Sequence, residues 1–536
     1  MSALTGDRDP RRVVPRWRDA HTAITTGELD PIPVRDPSSL IESVDDALNV
    51  HVRDWESHES IGFAADLVSA AIVLDRGASA LSAARYITRH KAEAGDVAYM
   101  LATRLLAPSR ETARDEVEVE LGATSLPDRV RASTGVSIAA LRSALRRDPH
   151  NAIAWLDLSR LYARVGSKAR AMRAMQAAVS LAPDHRFVLR SAARLSLHRH
   201  DPDEALAILR HSSAMKEDPW LLAAEIAIAT VADRVSRHIK LGRSLIASGR
   251  FSPFQTSELA SAIATVDANA GTIKAAKQMF RSALREPTEN TVAQAQWFAR
   301  QAGLIQLEAS SLNVPRSFEA QAWLACSERR WDEAILATWA WLDDEPFAGR
   351  PAVLGTTVAA VALNDPGQAL RFVQLGLLAN PASDTLRNNE VFALILLGQL
   401  DRARSRRADI QESRLTEHDH AVYLANSGLL AFRGGDVETG RNYYRATVAI
   451  ARQKKNQLVE GVALAFWAAE EFRRLVSGKA LRLEIGTPVP DDPQANSGET
   501  ASELASKALG LLRTAGRSVD RDLAELHLQR ANSSHR

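Results

Sequence analysis

Five basic side chains recur at helical spacing on two neighbouring segments: Arg160 and Arg164 in AWLDLSRLYAR, then Arg190, Arg194 and His198 in RFVLRSAARLSLH. At about 100° per residue, Arg160 and Arg164 fall roughly opposite Trp155, Leu158, Ser159 and Tyr162. Arg190, Arg194 and His198 project away from Leu189, Ala192 and Ala193 in the same way. Arg194 follows Arg160 by 34 residues, and His198 follows Arg164 by the same interval. A guanidinium presents a planar fork of donors, so such a stripe suits a carboxylate or a phosphate. The competing reading is a solvated face, or pairing with Asp157 and Asp184. The next helical stretch, WLLAAEIAIATVAD, is apolar at the corresponding positions, which confines any charged contact to the two segments named.

Little else in the chain has the spacing that chemistry needs. There is no P-loop, HExxH helix, GxSxG elbow or paired CxxC. His198, His200 and Asp201 in LHRHDPD, and His418 and His420 in EHDHA, lack a second ligand group at a defined spacing, so they read as histidines at helix boundaries. No metal and no cofactor is expected. Trp323, Trp331, Trp339 and Trp341 would form a binding hot spot if exposed, but small neighbours at helical spacing favour core packing.

The elements that must position the basic residues are helix pairs. In DPHNAIAWLDLSRLYARVGSKARAMRAMQAAVSLAPD, Pro149 and Pro183 stand 34 residues apart. Trp155, Leu158 and Tyr162 precede a turn at Gly166, and Ala171, Met175 and Ala178 follow it. This stretch resembles the tetratricopeptide repeat family. The resemblance is fullest over 137–212 and recurs over 255–290, 315–405 and 421–452. It implies an all-α, irregular α-solenoid of tetratricopeptide-like helix-turn-helix repeats. It also implies an inner face on which Arg160, Arg164, Arg190 and Arg194 would meet an acidic peptide segment or chain terminus. A second, much looser resemblance links Arg53 and His58, with four residues between them, to ribonucleases of the HEPN family, in which Arg and His act on RNA phosphate. In a chain rich in arginine with 14 histidines, such pairs also arise by chance.

Along the chain, residues 1–38 form a flexible arm rich in Pro and Arg, and 39–108 an N-terminal helical region. A connecting loop is expected over 109–135, the solenoid over 136–480, a linker over 481–499 and a C-terminal helical segment over 500–531. The spacing of prolines from 287 to 346 breaks the period, which predicts an insertion near Asn313–Arg316.

Composition bounds the function. Lys and Arg total 67 against 65 acidic residues, so net charge makes neither nucleic acid nor an anionic membrane an obligatory partner. The excess of basic residues over 130–211 keeps a nucleic-acid-binding repeat as an alternative, although aromatic stacking groups are sparse there. Cys326 is the single cysteine, which excludes an intrachain disulfide framework. The longest apolar runs, such as VFALILLG, are too short to span a bilayer. The expectation is a cytoplasmic, non-catalytic adaptor, sensor or regulatory subunit that binds one or more proteins.

Overall fold

The computed structural model of the chain describes residues 14–19, 44–73, 77–94, 96–106, 125–302, 307, 314–485, 501–515 and 518–535. Among the described residues all regular structure is helical, and most helices follow one another as helix-turn-helix pairs. The fold is an all-α, irregular α-solenoid. Two compact units make it up. The N-terminal unit takes Val14–Tyr162 and Ala169–Val266, and the C-terminal unit is built mainly from Asp267–Arg536.

The N-terminal unit begins with four helices, Val44–Ser57, Ile61–Val73, Leu81–Arg89 and Asp96–Leu106. Trp55, Leu67, Val68, Ile87 and Leu101 form their core. The indole of Trp55 donates to Ser82 Oγ at 3.2 Å, which satisfies its one polar atom at the edge of that core. The connecting loop expected over 109–135 is shorter than its composition indicated, because helix Leu126–Arg147 already covers its last residues. Ser125 caps that helix by accepting from the Asp128 amide, and Pro127 sits in the first turn, where its missing N–H costs nothing. Residues 109–124 lie outside the described residues.

Helices Ala152–Arg164 and Lys168–Leu181 form the first clear repeat. Ala171 and Ala178 are fully buried, and their size lets Ser159 Oγ reach across to donate to the Ala171 carbonyl at 2.7 Å. Leu158 and Tyr162 are buried as expected, but Trp155 is only half-buried and donates its indole N–H to the Pro149 carbonyl at 2.9 Å. Gly166 ends the first helix with φ +71°, a conformation that a side chain would strain. The second pair, Arg186–His198 and Pro202–His211, is capped by Asp201, whose carboxylate accepts from the Glu204 amide. Helices Pro219–Val231, Ile239–Ala247 and Pro253–Asn269 continue the array.

In the C-terminal unit the pairs Phe318–Ser327 with Trp331–Asp344 and Gly349–Thr357 with Pro366–Ala379 open a continuous core. Trp323 and Trp341 are buried in it, and Trp339 stacks on Phe372 at 3.7 Å, so the tryptophan concentration is packing rather than a surface patch. Close approach needs glycine here: a methyl on Gly376 would stand 2.6 Å from the Ala352 side chain. The linker expected from 481 begins later, since helix Gln457–Ile485 runs through its first residues, and the remainder lies outside the described residues. The C-terminal segment is two helices, Ala501–Thr514 and Val519–His535, both packed on Gln457–Ile485.

Buried charge in this unit is matched at close range. Arg433 holds Glu470 at 2.6 and 3.1 Å, and Arg441 holds Glu471 at 2.7 and 3.1 Å. Arg530 donates to the carbonyls of Val361 and Ala362, both at 2.5 Å, at the end of a π-helical turn Val358–Ala362 that cannot satisfy them within the helix. One titratable group is held neutral. His527 stacks on Phe466 at 4.2 Å, and burial, reinforced by Arg433 and Arg530, pushes its pKa down to about 3. Between pH 6.5 and 3 the unfolded chain therefore binds a proton that the folded chain refuses. Stability is full above that window and falls as the pH drops through it, by on the order of 1.4 kcal/mol per pH unit. Thermal melting from pH 7 to pH 4 should show this loss, and His527→Leu should flatten the acid side of the profile.

Candidate peptide-binding site

The site is built from the first helices of the two best repeats and from one short non-helical stretch, Val14–Asp19. The repeat grammar fixes where the basic residues emerge. Each first helix uses one face to pack on its own second helix, so the opposite face looks toward other elements of the unit.

Arg160 lies on that opposite face and is 8% exposed. Its Nε donates to the main-chain carbonyl of Trp17 at 3.3 Å, and its guanidinium pairs with the Asp19 carboxylate at 3.6 Å. Trp17 and Arg18 are completely buried, and Val14 and Arg16 beside them nearly so. One residue of the sequence-derived stripe thus grips a peptide segment 143 positions away in the chain. It does so through one contact that any peptide backbone offers and one that requires an acid.

Arg190 has a different role. At 1% exposure its guanidinium donates to both carboxylate oxygens of Glu258, at 3.2 and 2.9 Å, and lies over the Trp220 ring at 4.5 Å. Arg186 sits over the same ring at 5.4 Å and pairs with Asp218 at 3.4 Å. Asp218 in turn caps helix Pro219–Val231 by accepting from the amides of Trp220 and Leu221. Arg190 is therefore a structural cation that ties helix Arg186–His198 to Trp220 and to helix Pro253–Asn269. A second buried carboxylate nearby, Glu225, accepts from Arg210 at 2.6 Å and from Ser236 at 2.5 Å.

Arg164, Arg194 and His198 are half-buried. The five basic residues thus do not form one open, solvated stripe: two are buried and three are half-buried. The reason is physical. A side chain that points away from its own hairpin still meets the next pair in a stacked array, and a buried guanidinium needs an acid and a π-face there. Asp184, weighed as a partner of the stripe, instead accepts from Ser212 Oγ at 2.8 Å and the Ser213 amide at 2.9 Å, which hold its carboxyl below the ordinary range.

Sequence reasoning passed over Trp17, Asp19, Trp220 and Glu258. Trp220 belongs to a stretch read only for its apolar content, and Glu258 to one read for its repeat pattern. The signal for Trp17 and Asp19 was present, since WRD is an aromatic residue beside an acid within an otherwise proline- and arginine-rich stretch.

The other candidates have simpler settings. Arg53 is exposed on helix Val44–Ser57, and His58 follows the helix end, its ring tilted against that of Phe63 with centroids 5.7 Å apart. His420 pairs with Glu412 at 3.8 Å and stacks on Tyr423. Among the described residues no group of three His, Cys, Asp or Glu side chains is placed to hold a metal ion. A cavity of about 670 Å³ in the C-terminal unit is lined by Arg433, Arg473, His527 and Arg530. Arg433 and Arg473 both bind Glu470, and Arg530 is committed to carbonyls.

Removing Arg190 should expose the cost of burying Glu258. Arg190→Ala is expected to destabilise the N-terminal unit by about 3–5 kcal/mol, because it leaves a desolvated carboxylate behind. The double variant Arg190→Ala, Glu258→Ala should recover much of that loss in urea denaturation followed by far-ultraviolet circular dichroism.

No family model and no curated protein matches the chain. Among solved structures, yeast Tom70 is similar with a TM-score of 0.29 and 11% identity, over 92% of each chain. The human IFIT1 dimer with m7Gppp-AAAA gives a TM-score of 0.32 and 13% identity, over 80% of this chain and 99% of that one. The same protein with PPP-AAAA gives 0.32 and 12%, with the same coverage. Likenesses this distant assign neither a partner nor a chemistry to the chain.

Proposed function

We propose that this chain is a non-catalytic binding protein whose N-terminal repeats hold a peptide segment of a protein partner, so that it acts as an adaptor, sensor or regulatory subunit. The observation that carries the reading is the burial of Val14–Asp19 against Arg160. The same face that accommodates a non-helical peptide of this chain can accommodate one from another chain. Repeat proteins recognise partners by such shared surfaces, with buried aromatic anchors supplying affinity and charge supplying selection. Arg160 supplies the charge, and Arg164, Arg194 and His198 are half-buried on the first helices of the same two repeats. The acid in the partner is read from Asp19, which occupies the position opposite Arg160.

Affinity recovery from the native cell tests this reading, with Arg160→Glu, Arg194→Glu as the control variant. Circular dichroism first verifies that both proteins are helical. A stoichiometric protein held by the wild type and lost with the variant is the expected result. Equal retention by both would move the interface elsewhere, and recovery of nuclease-sensitive nucleic acid alone would replace protein binding with the nucleic-acid alternative.

A further inference from the structure

We infer that Val14–Asp19 is an intramolecular ligand of the Arg160 face, and that a partner must displace it with a peptide carrying a large aromatic residue and, two positions later, a carboxylate. This rests on the reading of that face as a peptide site and goes further, naming both the competitor and the chemistry of what replaces it.

Three observations converge. The segment VPRWRD lies outside the helix pairs and forms no helix, while the hairpins beside it close through their own contacts, such as Ala171 and Ala178 packing and the Ser159 to Ala171 bond. Trp17 anchors it with a fully buried indole, the kind of group that dominates peptide recognition by pockets, and Arg18 beside it is as deeply buried. Its contacts with Arg160 include a hydrogen bond of 3.3 Å to a main-chain carbonyl, which any peptide offers, and an ion pair of 3.6 Å whose carboxylate is 41% exposed. Pro15 precedes the anchor and fixes φ near the polyproline region, so the segment enters already partly extended.

The chemistry of the replacement follows from these contacts. The carbonyl contact accepts any peptide. The indole pocket selects an aromatic residue, and Arg160 selects an acid on the C-terminal side of it. A cis ligand competes at an effective concentration set by the chain that tethers it, so it suppresses weak partners and yields only to one that fills both positions. The acidic partner expected from the sequence thereby becomes an aromatic-plus-acid partner, since the segment seated on the face is itself rich in arginine.

The test uses the full chain and a fluorescein-labelled peptide of sequence VPRWRD, read by fluorescence anisotropy. Trp17→Ala should empty the pocket, so the labelled peptide is expected to bind that variant at least about tenfold more tightly than wild type. Adding Arg160→Glu should abolish the gain, and a peptide with the Trp17→Ala change should not bind. If Trp17→Ala unfolds the N-terminal unit, Asp19→Ala serves instead, since it removes only the exposed carboxylate and should raise peptide affinity by about threefold. Peptide binding that is equally weak in wild type and both variants would overturn the inference. If a cellular partner still depends on Arg160 in that case, the peptide-site reading stands and Val14–Asp19 is permanent packing. If neither peptide nor partner responds to Arg160→Glu, both readings fall.

Discussion

The described helices depend on their neighbours to cover their apolar stripes, and small side chains between neighbours let them come close. Ala171 and Ala178 in the first repeat show this, as does Gly376 against Ala352 further along. In such an array the first helix of each pair has one face committed to its own hairpin and another left to look elsewhere. The functional surface is therefore a by-product of packing. Whatever stands at Arg160 or Arg190 must either be covered by a later element or remain available to a ligand.

The two arginines take these two routes. Arg190 is covered by Trp220 and Glu258, and a guanidinium with a bidentate carboxylate and a π-face is an arrangement that fixes helix positions more than it adds stability. Arg160 is covered by a short stretch from the start of the chain, through weaker and partly solvated contacts. The two settings differ in distance and exposure: the Glu258 carboxylate is buried against Arg190, whereas the Asp19 carboxylate is 41% exposed. The same distinction separates the C-terminal cavity, where Arg433, Arg473 and Arg530 are all committed, from the Arg160 face.

Much of the scaffold was legible in the sequence because its signals are local. Asp201 with Pro202 marked a helix start, and the runs WDEAILATWAWL and DPGQALRFVQLGLL each mark a second helix of a pair, and all are found so. Ser125 with Pro127 and Asp128 carries the same kind of signal within the stretch expected to be a loop. What was not legible depends on contacts between distant positions. Period and spacing place Arg160 and Arg190 on equivalent faces, but only the fold shows Glu258 reaching one and Trp17 with Asp19 reaching the other. The arm was read by composition, which describes proline and arginine as unstructured and cannot see a cognate surface in the same chain.

The most direct measurement is hydrogen exchange of the backbone amides of residues 16–19, followed by mass spectrometry in the full chain and in Arg160→Glu. The account expects protection in the wild type, since residues 16–18 are buried and Trp17 and Asp19 are held by Arg160, and exchange approaching that of an unstructured peptide in the variant, with the amides of the Ala152–Arg164 helix still protected. Free exchange of residues 16–19 in the wild type would contradict it, as would protection unchanged by the loss of Arg160.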